Sequence, residues 1–178
     1  DRLVLEKQEE IMLSDVNTVN SENDAELAAQ IAGDPNGIGF FGYAYYHQND
    51  GDLKLLTVDG VEPNAGTVED GRYPLSRPLY LYSDADTLQD NQAANVFLNY
   101  YLTHVNEEID DVGYFPLSAA AMSTSQQEWL SANELELAPG QWAAINPDGV
   151  GGSVAVAGSS TVFPLTERMG EGIQENGF

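Results

Sequence analysis

An α/β layered fold is expected of this 178-residue chain, and three features carry the expectation. Short apolar runs rich in β-branched and aromatic residues are bounded by Gly, Pro, Asn and Asp, as strands closed by turns are. Between them lie stretches whose apolar residues recur at helical spacing. Near the C-terminal end, residues 153–178 repeat the strand–turn–helix order. Strands alternating with helices pack as layers.

In chain order, residues 1–20 offer only the short alternation Leu3-Val4-Leu5. A helix is expected from about Glu22 to Ala32, with Ser21 as cap, acids in the first turn, and Leu27 and Ile31 four apart on one face. Gly33-Asp34-Pro35-Asn36-Gly37 stops it. Ile38 to Tyr46 reads as a buried strand running into a turn or short helix, and Leu53 to Val58 as a strand closed by Asp59-Gly60. A loop with Pro63, Gly66 and Gly71 leads to a third strand, Arg77 to Tyr82. From about Asp86 to Val105 the pattern is helical: Ala93, Phe97, Tyr101 and His104 form a stripe, with Val96 and Tyr100 beside it. Residues 118–152, rich in Ala, Ser, Gln, Asn and Gly and carrying Trp129 and Trp142, read as a connector packed partly on a neighbour. Ser153 to Ala157 is a short strand, Gly158 to Thr161 a turn, and Pro164 opens a helix whose Leu165, Met169 and Ile173 lie four apart as its buried stripe. On the sequence alone this last strand and helix lack partners.

Composition narrows the function. Asp and Glu number 29 against 6 Lys and Arg, a formal charge of -23. Nucleic-acid binders need the opposite sign, and an anionic membrane surface is disfavoured for the same reason. The acids read first as a solvated surface suited to a saline extracellular setting. Calcium would need carboxylates and carbonyls converging at one point. Asn49-Asp50-Gly51-Asp52 and Asp15-Val16-Asn17 are the places for it, and neither continues into an EF-hand pattern. There is no cysteine, hence no disulfide, thiol nucleophile or thiolate metal site. No run of about 18 apolar residues offers a membrane span. No basic stretch followed by an apolar block opens the chain, so residue 1 reads as a processed or truncated start.

His47 and His104 have no second ligand at metal spacing, and His104 reads as a boundary residue on its stripe. Tyr43, Tyr45 and Tyr46 read as core filling. Neither a Gly-x-Ser-x-Gly elbow nor a His-Glu-x-x-His pair is present, and with this many acids carboxylate pairs carry no information. No enzyme and no cofactor are expected.

The informative stretch is the C-terminal turn. Small hydroxyl residues at a helix N-terminus offer backbone N–H groups, the positive end of the dipole and hydroxyl donors that can close around tetrahedral oxygens. Such residues are most often plain caps. The stretch from Gly158 to Met169 (GSSTVFPLTERM), after its apolar strand, resembles the first strand and helix of phosphate-binding proteins of the phosphate ABC transporter. The block from Asn23 to Leu117 resembles the closing third of the same family, through IAGDPNGIGFFGYAYY, LKLLTVDGVEP, TVEDGRYPLSRPLYLY and VGYFPL in the family's order and spacing.

The resemblance implies part of a bilobed periplasmic-binding-protein fold of type II, with phosphate gripped between two α/β lobes. It implies an exported receptor, periplasmic or at the cell surface, that hands inorganic phosphate to the permease of a membrane ABC transporter. Its first phosphate-binding turn maps onto Ser159, Ser160 and Thr161, with a backbone N–H from Val162; Arg77 would be structural, paired with a nearby carboxylate. The remaining ligands, on a later serine-containing loop, an acidic position and an Arg-Ser-Gly-Thr-like segment, are not in this chain. Residues 1–117 would then be the closing part of one unit, 118–152 a connector and 153–178 the opening strand and helix of a lobe. The reversed order fits a fragment of tandem units, a circular permutation or a piece of a larger chain, the tandem fragment being favoured. The rest of the receptor fold would come from the same or a neighbouring chain. Two rival readings remain: a structural or assembly component that reuses the receptor fold, and a calcium-dependent acidic surface module.

Overall fold

The structure, a computed structural model, describes residues 17–138 and 140–178. The Leu3-Val4-Leu5 alternation and two of the three residues of Asp15-Val16-Asn17 lie outside the described residues. The chain divides into two compact units, residues 1–54 and 55–178.

In the first unit, α1 (Asp24–Gly33) and α2 (Tyr43–His47) form where helices were expected, with two corrections. The cap of α1 is Asn23, not Ser21: the Asn23 Oδ1 accepts from the Ala25 and Glu26 amides at 3.1 and 3.3 Å. Ser21 stands two residues earlier, where its hydroxyl donates to Glu26 Oε2 at 2.8 Å. An Asn side chain at the position before the first helical residue reaches those amides, and a hydroxyl two residues further out cannot. The second correction concerns residues 38–42, which form neither helix nor ladder, so the buried strand expected there is absent. Ile38 and Phe40 are 77% and 82% exposed. The short helix expected to follow does form. Its entry is tied to the first turn of α1 by the Gly42 amide, which donates to Asp24 Oδ2 at 3.1 Å. Ala28, Ala44 and Tyr45 are buried.

The second unit is helical: α3 (Ala65–Glu69), α4 (Ala85–Asp90), α5 (Gln92–Val112), α6 (Ala119–Ala132) and α7 (Phe163–Glu175). The single helix expected from Asp86 to Val105 is two helices. Asn91 leaves helical geometry at φ -114 and ψ 94, ends α4, and caps α5 by accepting from the Ala94 amide at 3.1 Å. Helix α5 then runs on to Gly113, whose left-handed φ of 92 closes it. Its expected stripe is buried at Ala93, Val96, Phe97, Tyr100 and Tyr101, and His104 sits at the boundary, near the Glu107 carboxylate at 3.0 Å.

The segment expected as a connector contains α6, a 14-residue helix capped by Ser118. Trp129 and Leu130 of this helix form a small core with Leu88, and Trp142 packs edge-on to Trp129 at 5.2 Å between ring centroids. The stretch from Trp142 to Ile145 is sewn onto α5. Trp142 Nε1 donates to Thr103 Oγ1 at 2.9 Å, Asn99 Nδ2 donates to the Ala143 carbonyl at 2.9 Å, and Asn99 Oδ1 accepts from the Ile145 amide at 2.7 Å.

Helix α7 matches its expectation, with Leu165, Met169 and Ile173 buried on one stripe. It does not lack a partner: it lies antiparallel on α5 in the same chain. Gly172 lets the two backbones approach, since a Cβ there would stand 2.8 Å from the Tyr100 hydroxyl. At the other end Arg168 Nε donates to Glu108 Oε2 at 2.7 Å. Burial pushes the Tyr101 phenol above its ordinary value, with a hydrogen bond to Thr166 acting weakly the other way.

The strands of the expected α/β alternation are not formed. Among the described residues the only β pairing is an isolated bridge between Val58 and Val61, closed by Asp59 and Gly60 at φ 51 and 77. The stretches read as strands at 53–58, 77–82 and 153–157 form no ladder, Val58 joining only that bridge. A strand is defined by hydrogen bonds to a neighbour, and among the described residues these segments have no neighbouring strand. Their apolar side chains remain in the open, Tyr82 being 90% exposed. No helix among the described residues is long and apolar enough to cross a membrane.

Candidate functional site

The turn at the N-terminus of α7 is where the sequence placed its hydroxyl groups, and the fold keeps it at the surface. Ser159 is exposed, and Ser160, Thr161 and Val162 are half-buried. Ser159 organises the bend twice over. Its Oγ accepts from the Thr161 amide at 3.2 Å, and its carbonyl accepts from the Val162 amide at 3.0 Å. The Ser160 carbonyl takes the next amide, that of Phe163, at 3.2 Å. Val162 stands at the helix N-cap without a side-chain cap, and Pro164 occupies the first turn, where its missing N–H costs nothing. A hydroxyl that accepts one bond still has its own hydrogen to donate, so the Ser159 hydroxyl retains a donor while it shapes the bend.

The four expected residues are therefore contiguous at one helix end. The Val162 amide is engaged by the turn itself, on the Ser159 carbonyl. The turn is also tied from outside: the Tyr114 hydroxyl donates to the Thr161 carbonyl at 2.6 Å. Sequence reasoning missed this contact. The two residues are 47 apart, and no local pattern connects them.

Helix α7 offers the turn no unpaired cation. Arg168, the cation on α7, is paired with Glu108, and Glu167 and Glu171 on the same helix are exposed. An anion held here would depend on uncharged donors and the helix dipole. A shallow pocket bordered by Ser123, Gln126 and Gln141 lies beside α6 and includes none of the turn residues.

Other residues singled out in the sequence take structural places. The side chain of Asn49 donates to the Tyr45 carbonyl at 2.8 Å, and the Asp52 and Leu53 amides donate to its carbonyl, so this acidic stretch is the turn that ends α2. Among the described residues no three His, Asp or Glu side chains converge as a metal site. Tyr43 and Tyr46 pack with tilted rings, 5.4 Å between centroids, beside the buried Tyr45. Arg77, expected to pair with a carboxylate, makes no ion pair among the described residues.

A family model described as PBP superfamily domain matches residues 5–105. Protein SphX of a Synechocystis species is 40% identical over 113 residues, covering 61% of this chain and 34% of that protein. The phosphate-binding protein PstS of Staphylococcus saprophyticus is 33% identical over 117 residues, covering 61% of this chain and 36% of its own length. The chain thus spans about a third of the length of the curated relatives it matches. No solved structure gives a significant match.

Proposed function

The chain belongs to the PBP superfamily, and from that premise we propose that it supplies part of an exported receptor for inorganic phosphate. The observation that carries the proposal is the hydroxyl turn Ser159-Ser160-Thr161 at the surface-exposed N-terminus of α7. Relatives named as phosphate-binding proteins supply the ligand.

In this reading Ser159, Ser160 and Thr161 donate hydroxyl hydrogens to the phosphate oxygens. The Val162 N–H joins them as a three-centre donor, shared between the anion and the Ser159 carbonyl. Hydrogen bonds to a charged acceptor are roughly twice as strong as neutral ones, which suits a cradle without a cation. The charge of -23 does not forbid it, because exposed charges are screened over about 8 Å at physiological salt.

Residues 1–117 act as the closing part of a receptor unit, 118–152 as a connector and 153–178 as the opening strand and helix of a lobe. The α/β, type II bilobed architecture is completed by the rest of the receptor fold, from the same or a neighbouring chain, whose strands pair with the extended segments. Closure of the two lobes around the ligand follows as a hinge motion whose closed state the ligand selects. The partner downstream is the permease of an ABC transporter, the location periplasmic or at the cell surface, and the role binding rather than catalysis.

A second reading draws on the exposed apolar side chains of Ile38, Phe40 and Tyr82. Unpaired apolar edges are templates for strand addition, so the same segments suit an assembly component that donates strands to neighbours.

Titration calorimetry on the complete protein separates the two readings. Inorganic phosphate should bind once per receptor unit, and Thr161→Ala should weaken it about tenfold or more, the loss of one hydrogen bond to a charged group, with the fold intact by circular dichroism. Self-assembly with no phosphate binding would favour the second reading.

A further inference from the structure

Tyr114 belongs to none of the phosphate-contacting positions considered so far, yet it is the residue that reaches across to the turn. Its placement is unusually well determined. Gly113 takes the left-handed conformation that ends α5, and the Tyr114 amide donates back to the Ile109 carbonyl at 3.1 Å. Together with the Gly113 amide on Asp110 and Ile109 this is a Schellman-type closure, so the Tyr114 backbone is fixed to the end of a long helix. Its ring is buried, 9% exposed, and its hydroxyl ends on the Thr161 carbonyl at 2.6 Å.

We infer that Tyr114 is a positioning residue for the anion turn: by holding the Thr161 carbonyl it sets the direction of the Val162 N–H. The physical link is the peptide group itself. The Thr161 C=O and the Val162 N–H belong to one planar unit, so a hydrogen bond that fixes the first fixes the second. Without it the Thr161–Val162 plane keeps the Val162 N–H bond to the Ser159 carbonyl but loses a tie from outside the turn, and donors that must converge on a tetrahedral oxyanion are less firmly aimed. Preorganised donors bind more tightly because less freedom is lost on binding. This inference rests on the phosphate reading above.

Helix α7 provides an internal control. Its far end meets α5 through a second phenol, Tyr100, whose hydroxyl accepts from Asn176 Nδ2 at 3.3 Å. Tyr114→Phe and Tyr100→Phe each delete one hydroxyl from the α5–α7 contact and keep the ring, but only the first touches the turn. Binding of inorganic phosphate to the complete protein would be measured for the parent and both variants at 25 °C, with amide hydrogen exchange at residues 160–163. Tyr114→Phe should raise the phosphate Kd about three- to tenfold, the worth of one neutral hydrogen bond, and speed exchange at the turn. Tyr100→Phe should leave both unchanged. Equal affinity in Tyr114→Phe and a phosphate-binding parent would overturn the inference while sparing the receptor reading. Equal weakening in both variants would overturn it too, because the effect would then pass through helix packing as a whole. A parent that binds no phosphate would overturn the receptor reading and this inference with it.

Discussion

Met169→Ala is expected to lower the stability of the second unit by about 2–5 kcal/mol. Met169 is fully enclosed, at 0% exposure, in the middle of the α7 stripe between Leu165 and Ile173. Truncation removes one methylene, the sulfur and the terminal methyl from the α5–α7 interface, and it leaves a cavity that two helices braced at both ends cannot collapse to fill. The bracing is visible on either side of Met169: Arg168 on Glu108 at 2.7 Å, and Gly172 with its missing Cβ against the Tyr100 hydroxyl. Met169→Leu, nearly equal in volume, should cost less than about 1.5 kcal/mol. Chemical denaturation of parent and both variants measures the difference. If alanine and leucine were equally mild, the docking of α7 on α5 would not be a packed interface.

A comparable loss is expected from Asn99→Leu, through a different mechanism. Asn99 is completely buried on α5, and its amide pairs with both the Ala143 carbonyl and the Ile145 amide. It serves these residues as an adjacent strand would, offering one donor and one acceptor to positions two apart on an extended chain. Leucine fills similar space but removes both hydrogen bonds to a half-buried Ala143 and an exposed Ile145, each worth about 0.5–1.5 kcal/mol, so the total is about 1–3 kcal/mol. The segment is expected to lift away from α5, taking Trp142 off Thr103 and Trp129. Tryptophan fluorescence should shift to longer wavelength before the main unfolding transition. A variant with native fluorescence and native stability would show that Asn99 does not hold this segment down.

What the sequence made legible follows the range of each signal. The stripe Leu165-Met169-Ile173 repeats every four residues, and a stripe that regular is buried wherever the helix finds a partner. The partner itself was not legible, because α5 is contacted by residues more than fifty positions away along the chain, as in the pairing of Arg168 with Glu108. Helix α6 escaped notice for the opposite reason. Ser123, Ser125, Gln126 and Gln127 carry no apolar period, and the helix buries only Trp129 and Leu130. The break at Asn91 was hidden because Asn is a tolerable helix residue until its side chain captures the Ala94 amide.

The strands were read from composition, and composition does promise an apolar extended segment. It cannot promise the second backbone that turns such a segment into a strand. Residues 38–42 and 77–82 join no ladder and keep Phe40, Tyr80 and Tyr82 exposed. The hydroxyl turn was legible as a turn and as a helix start. Its tie to Tyr114 was not, being a contact between segments that meet only because α7 lies on α5.

Amide chemical shifts would report whether the Ser159–Val162 bend takes phosphate through uncharged donors, as proposed. Inorganic phosphate would be titrated into the isotopically labelled complete protein while the backbone amides are followed. Saturable shifts centred on Ser160, Thr161 and Val162 are the expected result. Phosphate binding that leaves those three amides unmoved, or no binding at all, would contradict it.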